Sequence, residues 1–161
     1  MKHASPSPLK RKAREREAPP QMVPAPVPGE TDLVAVDTTW GQIQPMEPAP
    51  GVLAIGEKEL LELVASGAPL VDGRTRDFYE EATLPGARSI PFHDAVARRE
   101  ELEGIEQVVL FCNGPQCPQS PTAIRELVEA GFPAGRIRYY RGGMHDWVTL
   151  GLPTEPGREP A

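Results

Sequence analysis

Short apolar runs alternate with segments of helical periodicity from Gly51 onward. The runs VLAI, PLVD, ARSI, VVLFC and RIRYY predict strands, because each is short, apolar and bounded by turn residues. The segments GEKELLELVASG, RDFYEEA, FHDAVARREEL, SPTAIRELVEAG and GGMHDWVTLG predict helices between and after them. Strands that alternate with helices predict an α/β fold with a parallel central sheet and helices on both faces.

Two of these helices carry position-specific predictions. The first is predicted to end before Gly67 and to bury four apolar side chains, Leu60, Leu61, Leu63 and Val64. The fourth begins with a serine and a proline, so Ser120 is predicted to be its N-cap and Pro121 its first helical residue.

The distribution of prolines predicts how the chain is divided. The protein has 161 residues and 20 prolines, and half of the prolines precede Gly51. Residues 1–50 are predicted to be a largely disordered extension in which 33–50 are either disordered or an ordered arm. The folded domain is predicted to span 51–154, and a disordered tail 155–161.

The charge is unevenly distributed. Residues 1–20 contain six Lys and Arg against two Glu, a net charge of +4, so the remainder must carry −10 of the total of −6. The basic run between Lys10 and Arg16 is interrupted by acidic residues and is interpreted as a solvated tail, without a nucleic-acid partner. With no apolar segment long enough for a membrane span and no apolar signal region, we expect a cytoplasmic protein with reduced thiols.

The two cysteines bring chemistry to this pattern. Cys112 ends the most apolar strand and Cys117 lies in the following loop, while Asp72 ends an earlier strand. Sites in parallel α/β folds form at the carboxyl ends of strands. A metal clip, a disulfide, two core residues and a nucleophile are the alternatives for this pair.

A metal site is disfavoured by the ligand set. Four residues separate the cysteines, which is not the usual zinc spacing, and the remaining soft ligands are His3, His93 and His145. We therefore expect neither a metal nor a cofactor. A loop folded onto a helix N-terminus turns backbone N–H groups inward and is expected to lower the pKa of Cys112, which favours the nucleophile.

Four segments, in order along the chain, resemble the rhodanese-like family. They are LVDGR at 70–74, FYEEATLPGARSIP at 78–91, VVLFC with its loop and helix, and RGGMHDWVTLGLP at 141–153. The resemblance implies that 51–154 form a single rhodanese-like domain and that the protein is a sulfurtransferase. Its donor would be thiosulfate or another persulfide. Its acceptor would be a thiol, a cyanide-like nucleophile or a protein.

The resemblance also implies roles for individual residues. Cys112 would carry a sulfane sulfur as a persulfide. The outer sulfur would be held by the N–H groups of the loop, which consists of Asn113, Gly114, Pro115, Gln116 and Cys117. Gly114 would permit the tight turn and Pro115 would stiffen it. Supporting positions are Asp72, Arg74 and Ser120, and His145 is either a rim residue or a surface residue.

Some positions depart from the family pattern. The common loop Cys-x-x-Gly-x-Arg-Ser places its serine two residues earlier than Ser120. The longer loop resembles those of related phosphatases and arsenate reductases, but no Arg or Lys lies between Cys112 and Arg125 to bind an oxyanion. Ala82-Thr83 replaces the family's Gly-His, which is expected to alter packing rather than chemistry.

The second cysteine leaves the function open between rivals. Cys117 is either a resolving thiol that attacks sulfur on Cys112 or a small loop residue. Besides the sulfurtransferase, the alternatives are a thiol–disulfide redox or sensing protein that uses both cysteines, a non-catalytic binding module, and a phosphatase that the missing arginine disfavours.

Overall fold

The computed structural model describes residues 25–26, 28–29, 34–35 and 42–158. The basic run, most of the predicted disordered extension and residues 159–161 lie outside the described residues. Within the extension, β1 (Ala25–Pro26) pairs antiparallel with β2 (Val34–Ala35). No helix among the described residues is both long and apolar enough to span a bilayer.

The central sheet has the predicted parallel arrangement. Its strands are β3 (Leu53–Ala54), β4 (Leu70–Asp72), β5 (Arg88–Ser89), β6 (Val108–Phe111) and β7 (Ile137–Tyr140). They lie in the order β3-β7-β6-β4-β5, and every neighbouring pair is parallel. The prediction of an α/β fold with a parallel central sheet is confirmed.

Four of the five predicted helices form. They are α1 (Glu57–Ala65), α2 (Arg76–Glu81), α3 (Gln119–Glu129) and α4 (Gly143–Thr149). The helix predicted for FHDAVARREEL is wrong, because that segment holds two 3₁₀ turns, Phe92–Asp94 and Arg99–Leu102. Within it only Ala95 and Leu102 are buried, so it has no continuous apolar face to hold an α-helix on the sheet.

Alternate residues of the strands supply two hydrophobic layers. Val108 and Leu110 of β6 pack with Ile124 of α3, whereas Val109 and Phe111 pack on the other side of the sheet. That second layer contains residues of α1 and α4, among them Leu60, Met144 and Trp147. Side chains of a strand point alternately to opposite faces, so the sheet is covered on both.

Helix α1 buries less than its apolar composition predicts. Leu60 is fully buried and Leu63 is partly buried against the same layer, but Leu61 and Val64 are 47% and 39% exposed. The prediction that all four face the core is wrong, because Leu61 lies off the face that Leu60 and Leu63 share. Gly67 follows the helix with φ 90°, as expected of a glycine that ends a helix.

The chain segments on either side of the domain both contact it. Residues 155–158, predicted to be part of a disordered tail, lie against the domain: Thr83 and Glu155 exchange two backbone hydrogen bonds, and Tyr79 Oη donates to the carbonyl of Arg158. On the N-terminal side, Ala49 is buried in the core and the Gln44 N–H donates to Pro115 O at 2.7 Å. Within the described part of 33–50, residues 42–50 therefore follow the ordered-arm alternative.

Candidate active site

The carboxyl ends of three neighbouring strands are level with one another. Asp72 of β4 is in register with Phe111 of β6, and Phe111 is in register with Tyr140 of β7. Cys112 therefore leaves the sheet directly between Gly73 and Arg141. The structure brings the predicted nucleophile and the predicted support residues to one edge of the sheet.

The Cys112 sulfur lies at the start of α3. It is 2% exposed and accepts the Ser120 N–H at 3.4 Å, while its own S–H donates to the Cys117 carbonyl at 3.5 Å. Ser120 is in the first turn of α3, where backbone N–H groups have no partner within the helix. The helix therefore presents a donor and its positive end to the sulfur.

Ser120 is not the N-cap that was predicted. Helix α3 begins one residue earlier, at Gln119, with Pro118 in the N-cap position. Proline already has a fixed φ close to the helical value, and Pro118 O accepts hydrogen bonds from the N–H and the hydroxyl of Thr122. Because the helix starts early, the Ser120 N–H faces Cys112 instead of the Ser120 side chain capping the helix.

The two thiols form one coupled pair. Cys112 and Cys117 are free, buried and in contact, and Cys117 Sγ also lies 3.5 Å from Gln119 Oε1. Burial, with the hydrogen bond to Cys117, raises the pKa of Cys112 well above its ordinary value. The hydrogen bond from Cys112 lowers the pKa of Cys117 to about 7, although burial acts the other way.

The predicted low pKa of Cys112 is therefore wrong. The N–H of Ser120 does lower the pKa of Cys112, but the loss of hydration on burial outweighs it. Of the two thiols, Cys117 has the lowered pKa, so the pair loses its first proton from Cys117.

The loop between the cysteines is closed by its own hydrogen bond. The Cys117 N–H donates to Gly114 O at 3.0 Å, with Pro115 and Gln116 at the centre of the turn. The prediction that the Cys117 N–H points inward to hold an outer sulfur is wrong, because the turn uses that donor. Asn113 is buried at the base of the loop, where its carbonyl accepts the His145 N–H at 2.7 Å.

Asp72 and Arg74 form a buried ion pair next to the loop. Arg74 Nη2 lies 2.7 Å from Asp72 Oδ2, and Arg74 Nε lies 3.0 Å from Oδ1. Thr83 Oγ1 donates to the same carboxylate at 2.8 Å, and Arg74 also donates to Ala82 O. These two predicted supporting residues therefore form a direct ion pair, in which both side chains are buried.

Two glycines allow close approach around Cys112. A Cβ on Gly143, which has φ 57°, would lie 2.3 Å from Cys112 O and 2.9 Å from Gly114 N. A Cβ on Gly73 would lie 3.0 Å from Ser120 Oγ. The sequence shows Gly143 only within the segment 141–153 and gives no signal for Gly73, since sequence alone does not show which backbone segments touch.

His145 stands behind the loop, on α4. Its side chain is about one-quarter exposed, and Nδ1 lies 3.2 Å from Asp146 Oδ1. Its backbone N–H donates to the carbonyl of Asn113, and the N–H of Met144 donates to the carbonyl of Cys112. The residue therefore touches the loop through its main chain, and a role for its imidazole at the rim stays a prediction.

The described residues contain no cluster of three or more His, Cys, Asp or Glu side chains that could hold a metal. His93 is exposed on a 3₁₀ turn, away from the cysteines in sequence and at a different strand end.

Comparison with known proteins identifies the family. Residues 57–150 match the family model described as the rhodanese-like domain. The chain belongs to the rhodanese-like domain family.

The rhodanese-like domain has relatives of more than one kind. Over 105 residues it is 35% identical to an HTH-type transcriptional regulator of Mycobacterium tuberculosis, covering 65% of this chain and 45% of the regulator. Over 84 residues it is 32% identical to a sulfurtransferase of Allochromatium vinosum, covering 52% of this chain and 75% of that protein. The chain thus spans less than half the length of the regulator.

Solved structures share the fold. A thiosulfate sulfurtransferase from Pseudomonas aeruginosa superposes with a TM-score of 0.55 at 25% identity, over 66% of this chain and 21% of that one. A protein from Lactobacillus plantarum, at 22% identity, gives a TM-score of 0.56 over 64% of this chain and 87% of that one.

Two residues at which the rhodanese-like domain departs from the family pattern form hydrogen bonds with the buried ion pair. Thr83, which stands where the family has histidine, donates to Asp72, and the carbonyl of Ala82 accepts from Arg74. The expectation that Ala82-Thr83 would alter only packing is incomplete, because both residues complete the hydrogen bonding of the buried ion pair.

Proposed function

We propose that the protein is a sulfurtransferase in which Cys112 carries a sulfane sulfur as a persulfide. The donor is thiosulfate or another persulfide, and the acceptor is a thiol, a cyanide-like nucleophile or a protein cysteine. The observation that carries the proposal is the place of Cys112 Sγ, at the end of β6 and 3.4 Å from the Ser120 N–H at the start of α3.

The thiol pair supplies the base. With its pKa at about 7, Cys117 is ionised in a large fraction of molecules at neutral pH, and its side chain is hydrogen-bonded to Cys112. Transfer of the Cys112 proton to Cys117 leaves the thiolate on Cys112, where the Ser120 N–H and the start of α3 stabilise it.

The transfer then takes place in two halves. The Cys112 thiolate attacks the outer sulfur of the donor, a new S–S bond forms, and the electron pair of the broken bond leaves with the donor. For thiosulfate the leaving group is sulfite. An acceptor nucleophile then attacks the outer sulfur of the persulfide and regenerates the Cys112 thiolate.

Transfer of sulfur from thiosulfate to cyanide, followed as thiocyanate, tests this scheme. We expect parallel lines in double-reciprocal plots, as for a ping-pong mechanism, and loss of turnover in Cys112→Ser. Cys117→Ser should retain turnover with a higher pH optimum, because the pair's low-pKa site is gone. Turnover in Cys112→Ser equal to that of the wild type would contradict the proposal.

A second candidate function is a redox or persulfide sensor. It is favoured by two free thiols in contact and by the similarity to a protein named as a transcriptional regulator. Here the Cys117 thiolate attacks the inner sulfur of the persulfide, Cys112 Sγ, so that the Cys112–Cys117 disulfide forms and the outer sulfur leaves as hydrosulfide. Loss of sulfur transfer in Cys117→Ser as complete as in Cys112→Ser would favour this candidate over simple sulfur carriage.

A further inference from the structure

Arg141 lies at the candidate site although it is far from the loop in sequence. Tyr140 and Phe111 are paired in register at the ends of β7 and β6, so Arg141 and Cys112 leave the sheet side by side. The backbone that follows Arg141 is bound to the loop, because Met144 N–H donates to Cys112 O at 3.0 Å.

The arm places the Arg141 guanidinium beside the same loop. Arg141 Nη1 contacts the sulfur of Met46, and two residues earlier the Gln44 N–H donates to Pro115 O in the loop. The guanidinium therefore contacts the part of the arm that is hydrogen-bonded to the loop. Arg141 and the two cysteines also act on one buried hydroxyl, that of Tyr139: burial raises its pKa, the two cysteines raise it further, and Arg141 lowers it.

The positive charge of Arg141 is not neutralised by a carboxylate within the described residues. Its Nε is buried and has no hydrogen-bond partner there. Its one described polar contact is a thioether, which is a weak, uncharged acceptor. A guanidinium has five donors and favours oxyanions with two or more acceptor oxygens.

The other arginines near this edge are already engaged. Arg74 is bound to Asp72 and to Ala82 O, and Arg98 is bound to Glu101 and to Ser89 O. Arg125 is exposed on α3 and donates to Thr122. No Arg or Lys lies in the loop itself, and among the described residues Arg141 combines a place beside Cys112 with a buried Nε that has no partner.

We propose that Arg141 binds the anionic end of the sulfur donor and so determines specificity for dianions of the thiosulfate class. This inference rests on the proposed sulfur transfer at Cys112 and assigns its substrate. The sulfonate oxygens displace the Met46 thioether from the guanidinium, which leaves the outer sulfur of the donor directed towards Cys112.

The reaction balances without a further reactant. The Cys112 thiolate and the thiosulfate dianion give the deprotonated Cys112 persulfide and sulfite dianion. The bond between the outer sulfur and the sulfonate sulfur breaks, and its electron pair leaves on sulfite. Arg141 compensates charge in the donor complex and on the leaving sulfite, and it takes no part in bond making.

Comparing two donors in Arg141 variants tests the assignment. The donors are thiosulfate, a dianion with sulfonate oxygens, and the persulfide of an N-acetylated cysteine ester, which has no oxyanion group, with cyanide as acceptor. For Arg141→Gln we expect kcat/KM with thiosulfate to fall roughly tenfold to a hundredfold, through KM, as on losing a hydrogen bond to a charged group. With the persulfide donor, which offers no oxygens to the guanidinium, kcat/KM should change by about twofold or less, and Arg141→Lys should lie in between.

Arg138→Gln is the matched control. Arg138 is on the same strand, but its guanidinium donates to Gly135 O and Ile137 O at the opposite end of β7. This variant should leave both donors unaffected. Sulfate should also inhibit the wild type competitively against thiosulfate, and Arg141→Gln should weaken that inhibition.

The possible failures are distinguishable. An equal fall for both donors in Arg141→Gln, or no fall with thiosulfate, would overturn the role of Arg141 while sulfur still loads onto Cys112. Failure of every donor to load Cys112 in the wild type would overturn the sulfurtransferase proposal and this inference together. If Arg141→Gln does not fold, Arg141→Lys and the sulfate competition in the wild type still decide.

Discussion

At the scale of single residues, the chemistry of the site depends on how two thiols share protons. Cys112 is buried more completely than its role as a nucleophile suggests, and burial raises its pKa. Cys117, whose pKa is lowered to about 7 by the hydrogen bond from Cys112, holds the first negative charge of the pair. A nucleophile that stays protonated until a neighbour takes its proton is protected from adventitious oxidation.

Thiolate absorbance as a function of pH tests this sharing. In the wild type we expect one thiolate to appear with a midpoint at pH about 7. In Cys112→Ala the midpoint should move upward, because alanine removes the hydrogen bond from the Cys112 thiol, which is the largest cause of the low pKa of Cys117. In Cys117→Ser the remaining thiol should titrate above its ordinary value, because burial still raises the pKa of Cys112.

The opposite pattern would assign the charge differently. A midpoint at pH about 7 that persists in Cys117→Ser and vanishes in Cys112→Ala would place the low pKa on Cys112.

Gly143 is a second residue on which the site depends. It combines a left-handed φ with backbone contact to Cys112 and Gly114. Gly104 has a similar φ of 74° but open space around it. We expect Gly104→Ala to lower the free energy of unfolding by about 1 kcal/mol, from the φ penalty alone. Gly143→Ala should lower it by about 3 kcal/mol or more, because a Cβ also forces the loop away.

Chemical denaturation of both variants measures this difference. Equal losses in Gly104→Ala and Gly143→Ala would show that the close approach of Gly143 to the Cys112 carbonyl is not a structural requirement.

At the scale of elements, the segment after α4 stabilises the ion pair behind the loop. Thr83 donates its hydroxyl to Asp72 and exchanges two backbone hydrogen bonds with Glu155. Gly157 N–H donates to Tyr79 O, and Tyr79 Oη donates to Arg158 O. The segment therefore covers α2 and the turn that carries Thr83.

Truncation measures this contribution. A chain ending at Thr154 loses four of these hydrogen bonds, and we expect a fall of about 2 kcal/mol in the free energy of unfolding. A chain ending at Arg158 keeps them and should match the full protein. Equal stability of the two truncated chains would mean that 155–158 do not hold this edge.

Elements were easier to predict than the contacts between them. The strands ending at Asp72 and Phe111 follow from apolar runs, and register then places Cys112 beside the Asp72–Arg74 pair. The start of α3 was misplaced because Pro118 can begin a helix as well as Ser120 can cap one. The 3₁₀ turns at 92–102 were missed because the apolar residues there approximate a helical period without forming a buried face.

At the scale of the whole molecule, the site is assembled from segments distant in the chain. The arm, the strand end at Asp72, the cysteine loop and the start of α4 all meet at one edge of the sheet. Arg141 and Gln44 could not be identified from the sequence, because their neighbours are set by strand order rather than by spacing. The pKa of Cys112 was predicted in the wrong direction for the same reason, since burial depends on the whole fold.

The central claim is that Cys112 carries a sulfane sulfur, and intact mass measures it directly. The experiment incubates three proteins with thiosulfate in the absence of reductant: the wild type, Cys112→Ser and Cys117→Ser. The intact mass of each is then measured by mass spectrometry. We predict the gain of one sulfur atom in the wild type and in Cys117→Ser, and none in Cys112→Ser. If the wild type gains no sulfur and instead loses two hydrogens on forming a Cys112–Cys117 disulfide, the sulfurtransferase proposal is contradicted. The redox function of the two cysteines would then be the remaining candidate.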